Sequence, residues 1–129
     1  MRVTSVTSSE AMVLRSILQW AAYQDHLQMF RINVIGVPIP GKPGRYRPSQ
    51  QKGMADIYCT LMVEGLPIGI WFEVKNARGR QTHSQKEFEK TITVHGGWYF
   101  IVRSIEQVEE SISIVRNATW DKIHQYTPF

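Results

Sequence analysis

The 129-residue sequence contains a single cysteine, Cys59, so neither an internal disulfide nor a zinc site of paired cysteines can form. Its four histidines are scattered without the spacing of metal ligands. No apolar run reaches the about 20 residues of a membrane-spanning helix. Glu10 and Arg15 interrupt the apolar residues near the N-terminus, which argues against a signal peptide. These absences predict one domain over residues 1–129, in the reducing cytoplasm and not in a membrane.

Acidic residues are also fewer than basic ones: 11 Asp and Glu stand against 15 Lys and Arg, which gives a formal net charge of +4 and a pI near 9.4. This excess favours a polyanionic partner, although many basic proteins bind nothing acidic. Residues 38–53 contain four prolines and no acid, and their lack of periodicity predicts a long loop. We expect this loop and the cations after residue 75 to contact DNA phosphates, which releases counterions. These cations are Lys42, Arg45, Arg47, Lys52, Arg78 and Arg80.

The rest of the sequence alternates helix and strand patterns. Apolar residues at helical spacing follow Thr7 and Glu10, which fit a capping box. A second helix is predicted over residues 82–95, where Thr82 and Gln85 fit another capping box, and a third from residue 105 to about 115. Residues from 117 onward are ambiguous. Strands are predicted over residues 29–37, 54–63, 67–75 and 98–103. The order is αβββαβα, which predicts an α/β protein with a mixed sheet flanked by helices.

Three charged side chains stand inside strand-forming runs: Asp56, Glu73 and Lys75. Alternate residues of a strand share a face, so Glu73 and Lys75 point the same way, and Asp56 meets them if the two strands form a hairpin. Adjacent carboxylates repel, and Mg²⁺ or Mn²⁺ relieves the repulsion by binding both. An ammonium beside them can hold a water or balance charge on a phosphate. The alternative is that Glu73 and Lys75 form a solvated pair on an edge strand.

The segments GMADI and WFEVKNARGRQTHSQ resemble the core of the PD-(D/E)xK nucleases, with Asp56 as the first acid and Glu73-Val74-Lys75 as the ExK motif. The finer similarity is to the virus-type replication-repair nuclease (VRR-NUC) domains of stand-alone phage or prophage type. Their Gly-Arg-x-x-x-x-Gln stretch matches Gly79, Arg80 and Gln85, and their Gly-Gly-x-Tyr-x-x-Val matches residues 96–102. Ala55 stands where the superfamily has proline, which is unremarkable among VRR-NUC domains.

The resemblance implies a restriction-endonuclease-like core and a specific set of roles. Asp56, Glu73 and the carbonyl of Val74 would bind Mg²⁺ or Mn²⁺, and Lys75 would position the attacking water. Gln85 would lie beside the site on the following helix, and a helix-capping role is the alternative for it. Glu10, on the first helix, has the same two explanations.

The resemblance also implies a homodimeric deoxyribonuclease that acts on branched DNA such as four-way junctions. Exposed aromatic residues near the C-terminus are candidates for the dimer interface: Trp120, Tyr126 and Phe129. The alternatives are a nuclease of flaps or ends, a DNA-binding subunit that does not cleave, and an interaction module whose basic charge is incidental.

Overall fold

The computed structural model describes residues 8–32, 37–47 and 52–125, which contain three helices and six strands. Their order is α1 (Glu10–Ala21), β1 (Leu27–Arg31), β2 (Val37–Pro38), β3 (Tyr46–Arg47), β4 (Ile57–Val63), β5 (Leu66–Val74), α2 (His83–Val94), β6 (Trp98–Val102) and α3 (Ile105–Gln125). Within these ranges, no helix combines the length and the apolar character needed to cross a membrane.

Four strands form one sheet in the order β1-β4-β5-β6. β4 is antiparallel to both β1 and β5, whereas β5 and β6 are parallel. A tight turn at Glu64 and Gly65, both with positive φ, joins β4 to β5. A parallel pair needs a long crossover connection, and α2 supplies it between β5 and β6. The predicted α/β class, with a mixed sheet flanked by helices, is therefore confirmed.

The two faces of the sheet have different partners. Residues 57, 59, 61 and 63 of β4 are buried with residues 70, 72 and 74 of β5 beneath α1 and α3, in the main apolar core. The opposite face, called the α2 face below, packs Trp71 and Tyr99 against Phe88 of α2. The period-2 alternation predicted for both hairpin strands is confirmed within β4 and β5, and it directs Glu73 to the α2 face. Asp56 and Lys75, predicted inside the strands 54–63 and 67–75, lie just outside them, because β4 begins at Ile57 and β5 ends at Val74.

The first strand and the loop differ from the predictions. β1 covers Leu27–Arg31 and so begins two residues before the predicted strand 29–37; residues 33–36 of that prediction lie outside the described residues, and Val37 belongs to β2. The segment predicted as an irregular loop contains part of a small antiparallel ribbon, in which Val37 pairs with Arg47 and Pro38 with Tyr46. The prolines of this segment indicate a loop, and strands of only two residues leave no recognisable pattern in the sequence.

The structure also corrects the predicted start of α1 and shows where α3 ends. α1 begins at Glu10 with Ser9 as its N-cap, whose side chain accepts a hydrogen bond of 3.2 Å from the Met12 amide. Glu10 is thus the first helical residue and cannot be the distal member of a capping box; Thr7 lies outside the described residues. The ambiguous C-terminal stretch is helical as far as Gln125, because α3 continues to that residue.

Candidate active site

The site begins where the β4–β5 hairpin opens. Ile57 lies opposite Phe72, so the preceding residue, Asp56, comes to lie opposite Glu73. Oδ2 of Asp56 accepts a hydrogen bond of 2.8 Å from the amide of Val74. The main-chain carbonyl of Asp56 accepts another, also of 2.8 Å, from the Ile32 amide. Asp56 is therefore fixed by backbone groups of two neighbouring segments, which holds its carboxyl next to that of Glu73.

Glu73 is the most deeply buried charged residue of the described chain, at 1% exposure. Its Oε1 accepts a hydrogen bond of 2.8 Å from Nε2 of Gln85 and lies 3.7 Å from Nζ of Lys75. Its Oε2 is buried, and no described residue donates a hydrogen bond to it. An unsatisfied buried carboxylate oxygen costs free energy, so a site that keeps one is suited to a ligand that binds there.

The environment of Glu73 raises its carboxyl pKa from 4.5 to about 8. Burial contributes most, the neighbouring Asp56 carboxyl adds to it, and the Lys75 ammonium opposes both. A carboxyl in this setting holds a proton at neutral pH unless another cation takes the proton's place. Perturbed carboxyl pKa values of this kind cluster at functional sites.

Lys75 joins the β5 end of the site to α1. Its side chain is buried, and its Nζ lies 3.5 Å from Oε1 of Glu10 as well as near Glu73. The Lys75 amide donates to the Val102 carbonyl at 3.0 Å, which continues the pairing of β5 with β6. Glu10 is half-exposed, so it contributes negative charge at the solvent side of the ammonium.

Gln85 serves two of its predicted purposes at once. Its Oε1 accepts a hydrogen bond of 2.9 Å from the main-chain amide of Thr82. The main-chain amide of Gln85 donates to Oγ1 of Thr82 at 3.2 Å, which completes the capping box of α2. The same side chain donates through Nε2 to Glu73. The capping geometry thus aims the amide group at the carboxylate, so the cap and the site contact are one arrangement.

Gly53, three residues before Asp56, packs closely against α2. It has a φ of 85°, and a Cβ atom there would overlap the carbonyl of Ser84 in the first turn of α2. The absence of a side chain lets the segment before β4 lie directly against α2. Gly53 therefore sets the distance between Asp56 and the helix that carries Gln85.

These side chains enclose a small polar cavity of about 120 Å³, lined by Glu10, Ala11, Leu14, Asp56, Glu73, Val74, Lys75 and Gln85. Every catalytic and metal-binding residue predicted from the sequence lines this cavity. A larger apolar groove of about 740 Å³ lies at the opposite end of the sheet, between Trp98 and the C-terminal half of α3. Of these two cavities of the described residues, the smaller one combines the buried Glu73 carboxyl and the partly buried Asp56 with a buried ammonium, so we take it as the candidate site.

The donor set fits a hard divalent cation. Within the described ranges, no three His, Cys, Asp or Glu side chains form a metal-binding group, and Glu10 contacts Lys75 instead. Two carboxyls and a main-chain carbonyl remain, together with the unpaired Oε2 of Glu73. Mg²⁺ commonly binds through one or two carboxylates and keeps several waters, so this set is sufficient for it.

Two residues that sequence reasoning missed hold the loop after Lys75. Oδ1 of Asn76 accepts hydrogen bonds from the amides of Arg78, at 3.1 Å, and Gly79, at 2.7 Å. Nη1 of Arg103 donates to the carbonyls of Asn76 and Gly79, the latter at 2.8 Å. The Asn-x-x-Gly spacing suggests a turn, but the contact from Arg103 spans 24 or more residues and leaves no local signal in the sequence.

The predicted DNA contacts whose side chains the structure describes are exposed, but they do not line the cavity. Arg78 and Arg80 lie on either side of Gly79, where an added Cβ atom would lie 3.0 Å from Oε1 of Glu10 and 3.2 Å from Cδ of Lys75. Lys42 and Arg45 lie at the tip of the ribbon, and Lys52 directly precedes Gly53. The side chain of Arg47 lies outside the described part of the structure. Of the proposed dimer residues, Trp120 is 48% exposed, while Tyr126 and Phe129 fall beyond the described residues.

The chain matches no protein-family model, no curated protein and no solved structure.

Proposed function

We propose that this protein is a metal-dependent deoxyribonuclease with a restriction-endonuclease-like core, related to the VRR-NUC domains. The observation that carries the proposal is the Oε2 of Glu73, which is buried beside Asp56 and Lys75 and receives no hydrogen bond from any described residue. In the metal-free protein a proton shared with the Asp56 carboxyl can satisfy this oxygen, and a bound cation would take the place of that proton.

Asp56, Glu73 and the Val74 carbonyl are the residues that would hold Mg²⁺ or Mn²⁺. When bound, the cation supplies Lewis-acid polarisation of a phosphoryl oxygen and lowers the pKa of a water. The Val74 amide and Gln85 orient the two carboxyls, because each donates a 2.8 Å hydrogen bond to one of them. Lys75 presents a buried ammonium that can orient the attacking water or stabilise the charge that develops on the phosphorus centre.

Cleavage in this site is a hydrolysis. A water oxygen forms a bond to phosphorus as the water gives up a proton to solvent, the bond from phosphorus to the 3′ oxygen breaks, and the departing 3′ oxygen takes up a proton from solvent. The products are a 5′-phosphate and a 3′-hydroxyl. Glu10 balances the charge of Lys75 from the solvent side, at 3.5 Å, and thereby keeps the ammonium in place between substrate molecules.

The proposed substrate is branched DNA, with four-way junctions first, and the proposed working unit is a homodimer. The exposed cations next to the site along the chain, Lys52, Arg78 and Arg80, support a polyanionic substrate, and two sites related by a two-fold axis would suit paired cuts in a symmetric junction. Trp120 on α3, 48% exposed, is the described candidate for the dimer contact.

The test is cleavage of labelled four-way junction, flap and linear duplex, each with Mg²⁺, Mn²⁺ or EDTA. Metal-dependent cutting of the junction in preference to the others is the expected result. Cutting of flaps or duplex instead would retain the site and reject the junction preference. Binding without cutting on any substrate, by folded protein in either metal, would reject the nuclease and favour a subunit that only binds DNA.

A further inference from the structure

A row of aromatic residues crosses the α2 face directly beside the carboxyl pair. Phe30 lies opposite Tyr58, Tyr58 opposite Trp71, and Trp71 opposite Tyr99, so each of the four strands contributes one ring. The adjacent row along β4 and β5 holds Asp56 and Glu73. Successive rows on one face are two residues apart, about 6.5 to 7 Å along each strand. The rings and the carboxyls are therefore neighbours on one surface.

Helix α2 covers only one half of this aromatic row. Phe88 of α2 packs edge-on against Trp71, with ring centroids 5.1 Å apart, and lies over Tyr99 at 6.2 Å. Tyr99 is consequently buried, whereas Tyr58 and Trp71 stay partly exposed and Phe30 is 50% exposed. The uncovered half belongs to β1 and β4, which no described helix contacts on this face.

Gly69 lets two of the exposed rings, those of Tyr58 and Trp71, meet. A Cβ atom at this position would collide with the hydroxyl of Tyr58. Without it, the Tyr58 ring extends across β5 and contacts Trp71, with centroids 4.8 Å apart and ring planes at 58°. Phe30, Tyr58 and Trp71 therefore present three neighbouring rings to solvent from three neighbouring strands.

Acidic side chains are few near the exposed rings; Glu89 of α2 lies at the covered end of the row, where Gln81 donates to both Glu89 and Tyr99. Among the described strand positions that point to the α2 face, no acidic residue stands near the aromatic row except Asp56 and Glu73. Exposed aromatic rings on a sheet are stacking surfaces for nucleobases, and such stacking tolerates any sequence because every base has a π face. Bases inside a duplex are already stacked on each other, so only an unpaired base can use such a surface.

We propose that Phe30, Tyr58 and Trp71 form a stacking platform for an unpaired nucleotide of the DNA substrate, adjacent to the phosphate held at the carboxyl site. The platform would make the protein prefer DNA in which pairing is broken beside the cut, as at a branch point. The inference deepens the proposed nuclease function and rests on it for the phosphate at the carboxyl pair. The stacking itself, however, can be measured without cleavage.

The experiment measures binding of a short oligothymidylate and of a fully paired duplex to the full chain in EDTA, by fluorescence anisotropy of labelled DNA. Four proteins are compared: the wild type, Phe30→Ala, Phe30→Tyr and Met62→Ala. Phe30 lies on an edge strand and is half exposed, so its loss disturbs no core contact. Met62 is the matched control because it is an equally exposed apolar residue, at 46%, on the same face but at the far end of β4.

The platform predicts that Phe30→Ala weakens oligothymidylate binding on the order of 10-fold, the effect of losing one stacked base. Duplex binding should stay unchanged, and Phe30→Tyr and Met62→Ala should bind both DNAs as the wild type does. Wild-type affinity of Phe30→Ala for the oligothymidylate would overturn the platform. So would an equal loss for oligothymidylate and duplex, or no single-strand binding by the wild type.

Cleavage assays on the same proteins separate this inference from the proposed function. If the wild type cuts branched DNA in Mg²⁺ and Phe30→Ala binds and cuts identically, the platform fails and the nuclease stands. If the wild type never cuts but Phe30→Ala selectively loses the oligothymidylate, the platform is supported and the nuclease fails.

Discussion

The side-chain amide of Gln85 donates a hydrogen bond of 2.8 Å to Oε1 of Glu73 while its oxygen caps the N-terminus of α2. The helix start and the orientation of the buried carboxyl are therefore coupled through one residue. Thr82 takes part only in the cap, so a substitution of Thr82 breaks the cap alone. A substitution of Gln85 breaks both the cap and the contact with Glu73.

We expect Gln85→Ala and Thr82→Ala to destabilise the fold by a similar amount, about 1 kcal/mol, because each breaks the capping box. Only Gln85→Ala should also reduce cleavage, by about 10- to 100-fold, since it frees the Glu73 carboxyl to rotate. Urea unfolding and single-turnover cleavage of both variants check this. Equal losses of activity would show that Gln85 acts through the helix end alone.

The raised pKa of Glu73 predicts an unusual pH dependence of stability in metal-free protein. The folded carboxyl holds its proton up to a pH of about 8, whereas the unfolded one releases it near 4.5. Between these values the folded state binds more protons than the unfolded state, so the free energy of unfolding falls as the pH rises. The loss is on the order of a few kcal/mol and is complete above pH 8.

Glu73→Gln removes the titrating group and keeps the shape of the side chain. We expect this variant to be more stable than the wild type in EDTA at pH 8.5, and its stability to vary less between pH 5 and 8.5. Mg²⁺ should stabilise the wild type at pH 8.5 and leave Glu73→Gln nearly unaffected. Thermal melts at the two pH values, with and without metal, measure both effects. Parallel pH profiles for the two proteins would refute the assigned pKa.

Alanine at Gly53 should lower the free energy of unfolding more than alanine at another glycine with the same backbone conformation, because Gly53 lies close to α2. Gly53 and Gly65 have φ values of 85° and 78°, but a Cβ atom at Gly65 meets nothing within 4 Å. Gly65→Ala should cost about 1 kcal/mol from backbone strain alone. Gly53→Ala should cost clearly more and also lower cleavage, because it pushes the Asp56 segment away from α2. Chemical denaturation compares the two, and equal costs would contradict the proposed packing.

The exposed cations predict a graded salt dependence of DNA binding. Lys42→Gln and Arg78→Gln should each lower the slope of log affinity against log salt by about 1, because each removes one phosphate contact. Lys122→Gln is the control, since Lys122 is also exposed but lines the apolar groove at the opposite end of the sheet. An unchanged slope for Lys42→Gln would remove the ribbon from the DNA-binding surface.

Much of the site could be predicted from local patterns. Period-2 alternation and a two-residue turn fix which residues of a hairpin face each other, and both signals were present around Asp56 and Glu73. The Thr82–Gln85 capping box was equally local, and the structure contains it. At the start of α1, by contrast, Thr7, Ser8 and Ser9 are all good N-cap residues, so the sequence did not distinguish Ser9 from the others.

Other features depend on contacts between distant segments. Arg103, just after β6, donates to the carbonyls of Asn76 and Gly79 in the loop after β5. This contact cannot be predicted before the order of the strands is known. The contact of Glu10 with Lys75 depends in the same way on how α1 packs against the sheet. The aromatic row depends on the register of three strand pairs, although each of its rings was visible in the sequence.

The most direct test of the central claim is cleavage of a labelled four-way junction by the wild type and by Asp56→Asn, each in Mg²⁺ and in EDTA. Asn keeps an oxygen that can accept the hydrogen bond from the Val74 amide, so the fold should be retained while the carboxylate charge is lost. We predict cutting by the wild type in Mg²⁺ alone, and no cutting by Asp56→Asn despite wild-type affinity for the junction. Cutting by Asp56→Asn at the wild-type rate, or by the wild type in EDTA, would contradict a metal-dependent nuclease site at Asp56 and Glu73.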